Sequence, residues 1–433
     1  MPSEEITAKI GKLKRTLGLF EVTMYGVGII LGAGIYALIG KAAGIAGPAL
    51  WAAFGIGGFV ALLTGLSYAE LGAMFPKEAA EFVYTKKAFG RSLLSFLVGW
   101  LIIIVGCVAA ATVALGFGGY FQAITGVPQL AAAVGLIAVM SYLNFYGIKE
   151  SSRANILFTI IEASGLILII LLGLGHLGSV NYLEAPAGIE GIFMAAILVF
   201  FAYLGFEDIV NIAEETKKPT RVIPRALLLS ILITTIIYVL VSVSAVSILP
   251  WQTLGTSAAP MADIAQAALP GLGPIMAFIA LFATANTVLV LLIVESRMAW
   301  GMAHAKALPK PLALIHPRRC TPWTAIIATS LLTVAFVFFG NIRTVAEITD
   351  FGAFLIFLSV NVSLIWLRFT RPNIRRPFKV PLNIGRFPVL PALGAAFCVG
   401  MLFFFSWQVV SIGIAILVIG VLFHKAMQSR IFS

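Results

Sequence analysis

Charged residues are scarce in this sequence. Of its 433 residues, 29 are Lys or Arg and 18 are Asp or Glu, so 11% are charged, whereas 60% are hydrophobic and the mean hydropathy is +1.04. A soluble chain of this length needs far more polar surface, and long apolar runs are typical of membrane spans. The composition therefore predicts a multi-pass protein of the lipid bilayer, with no room for a soluble domain.

Cysteine and histidine are also rare. The three cysteines lie far apart in the sequence, and the four histidines stand at the ends of apolar runs or in loops. Neither set has the spacing of a disulfide framework or of a metal site. Because no nucleophile is paired with a base either, the sequence indicates neither a cofactor nor an enzyme.

The basic residues follow an alternating pattern that explains the net charge of +11. Lys41 and Arg343 are the only two outside one alternating set of loops, and the loops between, such as 179–190 and 249–274, carry acidic residues instead. Basic loops remain on the cytoplasmic side of a membrane. We therefore expect a cell membrane location (plasma or inner membrane), cytoplasmic N- and C-termini, and no nucleic acid partner.

Apolar length and flanking charge predict an all-α fold of about twelve transmembrane helices. The expected spans are residues 19–44, 48–75, 92–124, 129–147, 154–177, 191–213, 226–248, 272–303, 323–340, 344–369, 388–406 and 408–424. Between spans two and three, residues 79–90 mix aromatic and basic side chains, as an interfacial helix does.

Spans one and six are both interrupted. Gly32 and Gly34 weaken the helix in the first, and Gly205 precedes two acidic residues in the sixth. Interruptions at these two positions predict an inverted repeat of five plus five helices, with spans eleven and twelve outside it. The expected units are an N-terminal cytoplasmic segment (1–18), two repeats (19–177 and 191–369), the last two spans (388–424) and a cytoplasmic tail (425–433).

Two facing breaks could form a binding site. Glycines at 32 and 34 could instead let two helices pack closely, but a second break in span six favours a site. We expect an unwound turn at Gly32–Gly34, with the second half of span one beginning just after Gly34. Its free N–H groups and positive helix end favour a carboxylate, whereas carbonyls freed around Phe201–Gly205 favour an ammonium group. Together they suit an α-amino acid.

Polar and charged residues inside membrane spans carry an unfavourable free energy, so each is expected to have a functional or structural role. Glu162 in span five is either a protonatable group that couples transport to H⁺ or a structural hydrogen-bond partner. Glu207, at the second break, could contact a substrate cation or work a gate. Asn286 and Thr287 in span eight could replace a coupling-cation site, bond to span one or simply pack against it.

Several acids stand near the ends of spans. Glu70 lies at the end of span two, Glu21 at the start of span one, and Glu295 close to Arg297 in span eight. They either form salt bridges that close an inner gate or are ordinary boundary charges, and we favour the boundary role.

Three motifs resemble those of the amino acid–polyamine–organocation transporters. The segment Gly32-Ala-Gly-Ile-Tyr36 is similar to the family's Gly-Ser/Ala-Gly-Ile-Phe signature. Residues 201–207 with 214–225 resemble its sixth span and following loop, and 375–381 resembles a loop of its cationic-amino-acid-transporter-like branch. The resemblance extends from about residue 15 to residue 425 and implies a LeuT-like fold with alternating access.

The resemblance also implies roles for residues at the two breaks. The substrate carboxylate would bind the amides of Ala33, Gly34 and Ile35, with Ile30 and Gly32 beside them. The amine would bind the carbonyls of Phe201, Ala202 and Leu204, with Phe201 as an aromatic gate.

Two acids complete this expectation. Glu207 falls where relatives carry an acid associated with proton sensitivity. Glu162 occupies a position where several proton-coupled relatives have a lysine, so the lysine's role does not transfer unchanged.

The leading interpretation is a secondary transporter of amino acids, H⁺-coupled or an exchanger. A polyamine or other organocation carrier is the alternative, since such a substrate can lack the carboxylate. A channel is disfavoured because no filter-like repeat occurs and paired broken helices suit alternating access.

Overall fold

The protein is almost entirely helical. The computed structural model describes residues 17–76, 80–90, 92–146, 151–213, 216–304, 307–317, 319, 321–339 and 341–431. Its α-helices are α1 (Leu19–Leu31), α2 (Ala33–Ala46), α3 (Leu50–Met74), α4 (Ala80–Phe89), α5 (Ser92–Thr125), α6 (Gln129–Tyr146), α7 (Ser151–Gly173), α8 (Gly188–Phe200), α9 (Pro219–Ile248), α10 (Trp251–Thr256), α11 (Pro260–Ala268), α12 (Gly273–His304), α13 (Trp323–Val337), α14 (Ile342–Thr370), α15 (Val389–Leu402) and α16 (Trp407–Ile431). Two short strands, β1 (Asn383–Ile384) and β2 (Phe387–Pro388), pair antiparallel between α14 and α15.

Most of these helices have the length and composition of membrane spans. Nine helical segments of the described chain are long and apolar enough to cross a membrane, and α1, α13 and α15 are shorter apolar helices. One of the nine, Ala33–Met74, contains 42 residues and includes both α2 and α3, joined by a 3₁₀ turn at Gly47–Ala49. These findings support an all-α membrane protein, and the total of twelve spans stays a prediction.

The first break is shorter than the sequence predicted. Helix α1 ends at Leu31 and α2 begins at Ala33, so that Gly32 alone departs from helical geometry, with φ −14° and ψ −174°. Ala33 and Gly34 already lie in the first turn of α2. The expectation of an unwound turn as far as Gly34 was therefore wrong in extent, although the position was right.

The second break has the extent that was expected. Helix α8 ends at Phe200, a 3₁₀ turn covers Phe201–Tyr203, and Leu204 is extended at φ −58° and ψ 143°. Gly205 then takes a left-handed conformation at φ 109°, which glycine adopts without a steric penalty. The chain continues as a second 3₁₀ segment, Phe206–Ile212, which we call the second half of span six.

Small residues let the interrupted helices and their neighbours approach closely. Helix α9 packs against α3 and α1, and α12 packs against α5. A Cβ placed on Gly58 of α3 would lie 2.3 Å from Thr235 Oγ1 of α9. Such contacts hold apolar helices together where lipid gives no hydrophobic advantage to burial.

Lys41, one of the two basic residues outside the alternating pattern, has a structural partner. Its Nζ donates to the carbonyl oxygen of Gly255 in α10 at 2.9 Å. The two helices approach closely here because Gly44 of α2 faces Gly255. A Cβ added to Gly44 would lie 2.8 Å from Cα of Gly255. The other exception, Arg343, pairs with Glu347 at 2.7 Å.

Some sequence predictions concern residues outside the described part of the chain. These are most of the N-terminal segment (residues 1–16), Glu214, Glu215 and Cys320.

Candidate substrate site

The two breaks lie directly against each other. A Cβ on Gly34 would lie 2.6 Å from Cα of Ala202, and one on Gly205 would lie 2.4 Å from Cγ2 of Ile29. Real side chains do not tolerate such distances, so glycine at 34 and 205 is what allows span one and span six to meet. The structure thus brings together the residues on which the sequence analysis placed the two halves of the site.

Tyr238 of α9 joins the two breaks and was not predicted from the sequence. Its buried hydroxyl lies 2.5 Å from the carbonyl oxygen of Ile30 and 2.9 Å from that of Ala202. A hydroxyl has one proton, so the two carbonyls share it. A buried tyrosine normally finds an acceptor for its hydroxyl, so a tyrosine within this span was the available signal.

On the span one side, Thr287 of α12 contacts the break. The N–H of Ala33 donates to Thr287 Oγ1 at 3.2 Å, and Thr287 donates in turn to the carbonyl of Ala283 at 3.0 Å. Thr287 thus forms a hydrogen bond to span one, which is one of the three roles weighed for it. Asn286, the preceding residue, is buried in the same helix.

The start of α2 has the character of an anion site. The first N–H groups of a helix lack intrahelical acceptors, and the helix dipole is positive there. Thr287 accepts the N–H of Ala33, and the N–H groups of Gly34 and Ile35 belong to the same first turn. The side chain of Ile35 is fully buried.

Tyrosine hydroxyls anchor α2 to its surroundings. Tyr36 donates to the backbone carbonyl of Glu162 in α7 at 2.5 Å, and Tyr120 of α5 donates to the carbonyl of Tyr36 at 2.8 Å. The carboxyl of Glu162 is almost completely buried, and its Oε1 has no hydrogen-bond partner among the described residues. Glu162 therefore lies beside span one.

On the span six side, Glu207 stabilises the break itself. Its Oε2 accepts the N–H of Gly205 at 2.9 Å, and the N–H of Leu204 donates to the carbonyl of Phe201 at 3.2 Å. Phe201 is buried, whereas Leu204 and Gly205 are partly exposed. In this structure Glu207 thus bonds to its own backbone turn.

Glu70 is not the boundary charge that we favoured. Its fully buried carboxylate accepts from Arg368 Nη2 at 2.5 Å and from the N–H of Val380 at 2.8 Å, and Arg376 Nε lies 3.2 Å from Oε1. The sequence does not predict this cluster, because all three partners come from the end of α14 and the loop after it. The boundary role was wrong for Glu70.

Arg376 explains the basic motif at 375–381. Its guanidinium also donates to the carbonyls of Leu367 and Arg371, both at 3.0 Å, at the C-terminal end of α14. Cations stabilise this end of a helix. The motif therefore holds the end of α14 against α3 through Glu70.

The chain matches a known family over most of its length. A model of the amino acid permease family matches residues 17–423. The branched-chain amino acid permease of Bacillus subtilis is 30% identical over 95% of this chain and 92% of that protein. The methylthioribose transporter of Bacillus subtilis is 29% identical, over 93% of this chain and 91% of that protein.

A more distant relative belongs to the branch that the loop motif suggested. The human cationic amino acid transporter 4 is 28% identical over 86% of this chain and 62% of its own length. These relatives are transporters, and the resemblance seen in the motifs is confirmed. The chain belongs to the amino acid permease family and is a multi-pass membrane transporter, not an enzyme.

Proposed function

We propose that this protein is a secondary active transporter of amino acids that works by alternating access, as an H⁺-coupled symporter or as an amino acid exchanger. The observation that carries the proposal is the contact of the two breaks at Gly34 and Ala202, with Tyr238 shared between them. One break supplies the start of a helix, and the other supplies backbone carbonyls that can each accept a further hydrogen bond. This pair complements a carboxylate and an ammonium group on one small molecule.

The substrate site follows from the same geometry. The carboxylate binds the N–H groups at Gly34 and Ile35, with Ile30, Gly32 and Ala33 beside it. The amine binds the carbonyls of Phe201, Ala202 and Leu204, next to Gly205, and Phe201 closes the site as an aromatic gate. Since Ala202 already shares the Tyr238 hydroxyl, Tyr238 positions this carbonyl for the amine.

We assign proton coupling to Glu162, with Glu207 as a gating residue. A buried carboxyl oxygen without a donor is far less costly as a neutral acid than as an anion. Tyr36 donates to the backbone carbonyl of Glu162 and so holds this residue beside span one, where a change in the charge of its carboxyl would act through space on the first break. Asn286 and Thr287 complete the coupling region, where Thr287 holds the N–H of Ala33.

The proposed topology is that of a LeuT-like fold. Twelve spans form two inverted repeats of five, followed by two further helices, with both termini in the cytoplasm of a cell (plasma or inner) membrane. The distribution of Lys and Arg supports this orientation.

Transport by the purified protein in liposomes tests the proposal. The substrate panel contains radiolabelled branched-chain and cationic amino acids, a polyamine and methylthioribose, because relatives are named for several of these. We expect saturable uptake of an amino acid, which is stimulated by a pH gradient in a symporter and by internal amino acid in an exchanger. Uptake of the polyamine alone, or single-channel currents, would contradict the proposal.

A further inference from the structure

Helix α4 docks onto the transporter through a buried acid. Glu81, in its first turn, is 6% exposed although the sequence predicts an interfacial helix here. Tyr68 of α3 is fully buried and donates its hydroxyl to Glu81 Oε1 at 3.0 Å. An acid on a helix that merely lay on the membrane surface would stay in water.

Tyr68 connects this acid to the second break. Its ring packs edge-on against Phe206, with centroids 5.7 Å apart, and against Phe357 of α14 at 5.9 Å. Phe206 directly follows Gly205, the left-handed residue of span six. The side chain of Tyr68 therefore lies between Glu81 and the second half of span six, which carries Glu207.

The charges around Glu81 are mostly of its own sign. Asp208 and Glu207 approach it from the second half of span six, and both interact unfavourably with a charged Glu81. Helix α5 offers no Asp, Glu, Lys, Arg or His between residues 93 and 125. On α14, Arg368 is already bound to Glu70, and Lys86 of α4 lies over the Phe82 ring.

Hydrogen bonds from polar groups near Glu81 offset only part of the cost of burying its charged carboxylate. Tyr68 donates to it, whereas the buried hydroxyl of Tyr84 has no hydrogen-bond partner among the described residues. Burial, and then the charge of Asp208, raise the pKa of Glu81 to about 7, against the hydrogen bonds that lower it. An acid of this kind titrates in the pH range of a cell interior.

We propose that Glu81 is a proton-binding group whose protonation fastens α4 onto Tyr68 and the second half of span six. Its influence on transport rests on the proposed function, because the second half of span six moves only if the breaks work as a gate. With Glu81 charged, repulsion from Asp208 and Glu207 loosens the docked helix. With Glu81 neutral, the helix stays in place and restrains span six.

The sign of the pH dependence follows from the two states of Glu81. In the docked helix its pKa is about 7, whereas in a detached helix it takes the ordinary value of 4.5. Docking therefore takes up a proton between these values and weakens as the pH rises towards 7. Linkage of one proton makes docking about tenfold more favourable at pH 6 than at pH 8.

A cysteine at position 85 reports docking without any substrate. Thr85 of α4 is fully buried, and its side chain donates to the carbonyl of Glu81 at 2.8 Å. Thr85→Cys would be made in the full-length protein with Cys320→Ser, since Cys107 and Cys398 are buried. The rate of modification by a hydrophilic maleimide is measured at pH 6 and pH 8, with and without Glu81→Gln.

The Glu81→Gln variant has the same thiol chemistry, so the ratio of the two rates removes the effect of pH on the thiol. We expect the rate with glutamate at position 81, divided by the rate in Glu81→Gln, to rise about tenfold from pH 6 to pH 8. An equal ratio at both pH values would overturn the proposal. Failure of the transport assay would leave this result unaffected, so the two proposals are tested separately.

Tyr68→Phe provides a second test if Glu81→Gln fails to fold. This substitution removes a hydrogen-bond donor to the Glu81 carboxylate and so disfavours its charged form. The pH midpoint at which Thr85→Cys loses its protection from the maleimide should therefore move to a higher pH. A midpoint unchanged from that of the parent would overturn the role of Glu81.

Discussion

Gly34 meets the backbone of Ala202 so closely that a Cβ on Gly34 would lie 2.6 Å from Ala202 Cα. In the substrate site proposed above, a side chain at position 34 would fill the carboxylate position. The structure gives a different reason for the same sensitivity, because any side chain there would push the two broken helices apart.

Gly34→Ala should therefore impair substrate binding, and Gly34→Val should abolish it. Overpacking costs about 1–3 kcal/mol, which corresponds to roughly five- to 150-fold in affinity when it falls on a binding site. Equilibrium binding to the purified variants measures the effect. Gly135→Ala is the control, since a Cβ there meets nothing within 4 Å. Normal binding by Gly34→Val would refute the contact as part of the site.

Tyr238→Phe should weaken substrate binding by roughly two- to twelvefold, because the loss of a hydrogen bond costs about 0.5–1.5 kcal/mol. Tyr182→Phe is the control, because its hydroxyl is hydrogen-bonded to Ser247 Oγ at 2.7 Å and accepts the N–H of Gly178, outside the two breaks. Each of the two variants removes one hydrogen-bonded hydroxyl group. If they also lost the same affinity, Tyr238 would have no special role in positioning Ala202.

Glu162→Gln should abolish the pH dependence of uptake and retain exchange of internal for external amino acid. The amide resembles the neutral acid in shape but cannot release a proton. Liposome uptake with and without a pH gradient measures this, and Glu190→Gln, at an exposed acid, is the control. If the pH dependence of uptake were unchanged in Glu162→Gln, Glu162 would not be the group that couples transport to H⁺.

Glu70→Gln should lower the free energy of unfolding by about 3–5 kcal/mol, because Arg368 would be left buried without its counter-charge. Glu347→Gln breaks the exposed pair with Arg343 and should cost about 1 kcal/mol or less. Thermal or denaturant unfolding of the purified variants compares the two. Equal losses would mean that the Glu70 cluster does not hold α14 to α3.

The positions of both breaks could be predicted because their causes are local. Glycine weakens a helix wherever it stands, and Gly32 and Gly205 do so within apolar spans. The extent of the first break was not predictable, because Thr287 of α12 accepts the N–H of Ala33 where α2 resumes. That bond depends on a contact between residues 254 positions apart.

The groups that support the site were missed for a similar reason. Tyr238 binds Ile30 across 208 positions, and Arg368 binds Glu70 across 298. Nothing near Glu70 in the sequence distinguishes a buried ion pair from a boundary charge. Hydropathy and charge predict which segments enter the membrane, but not which helices become neighbours.

The most direct test of the central claim is competition for uptake by analogues that lack one end of the substrate. Labelled amino acid uptake into liposomes is measured against the unlabelled amino acid, its decarboxylated amine and its deaminated acid. Because the N–H groups of span one and the carbonyls of span six each bind one end, we predict that only the intact amino acid competes strongly. Equal competition by the amine would contradict the assignment of the carboxylate to Gly34 and Ile35.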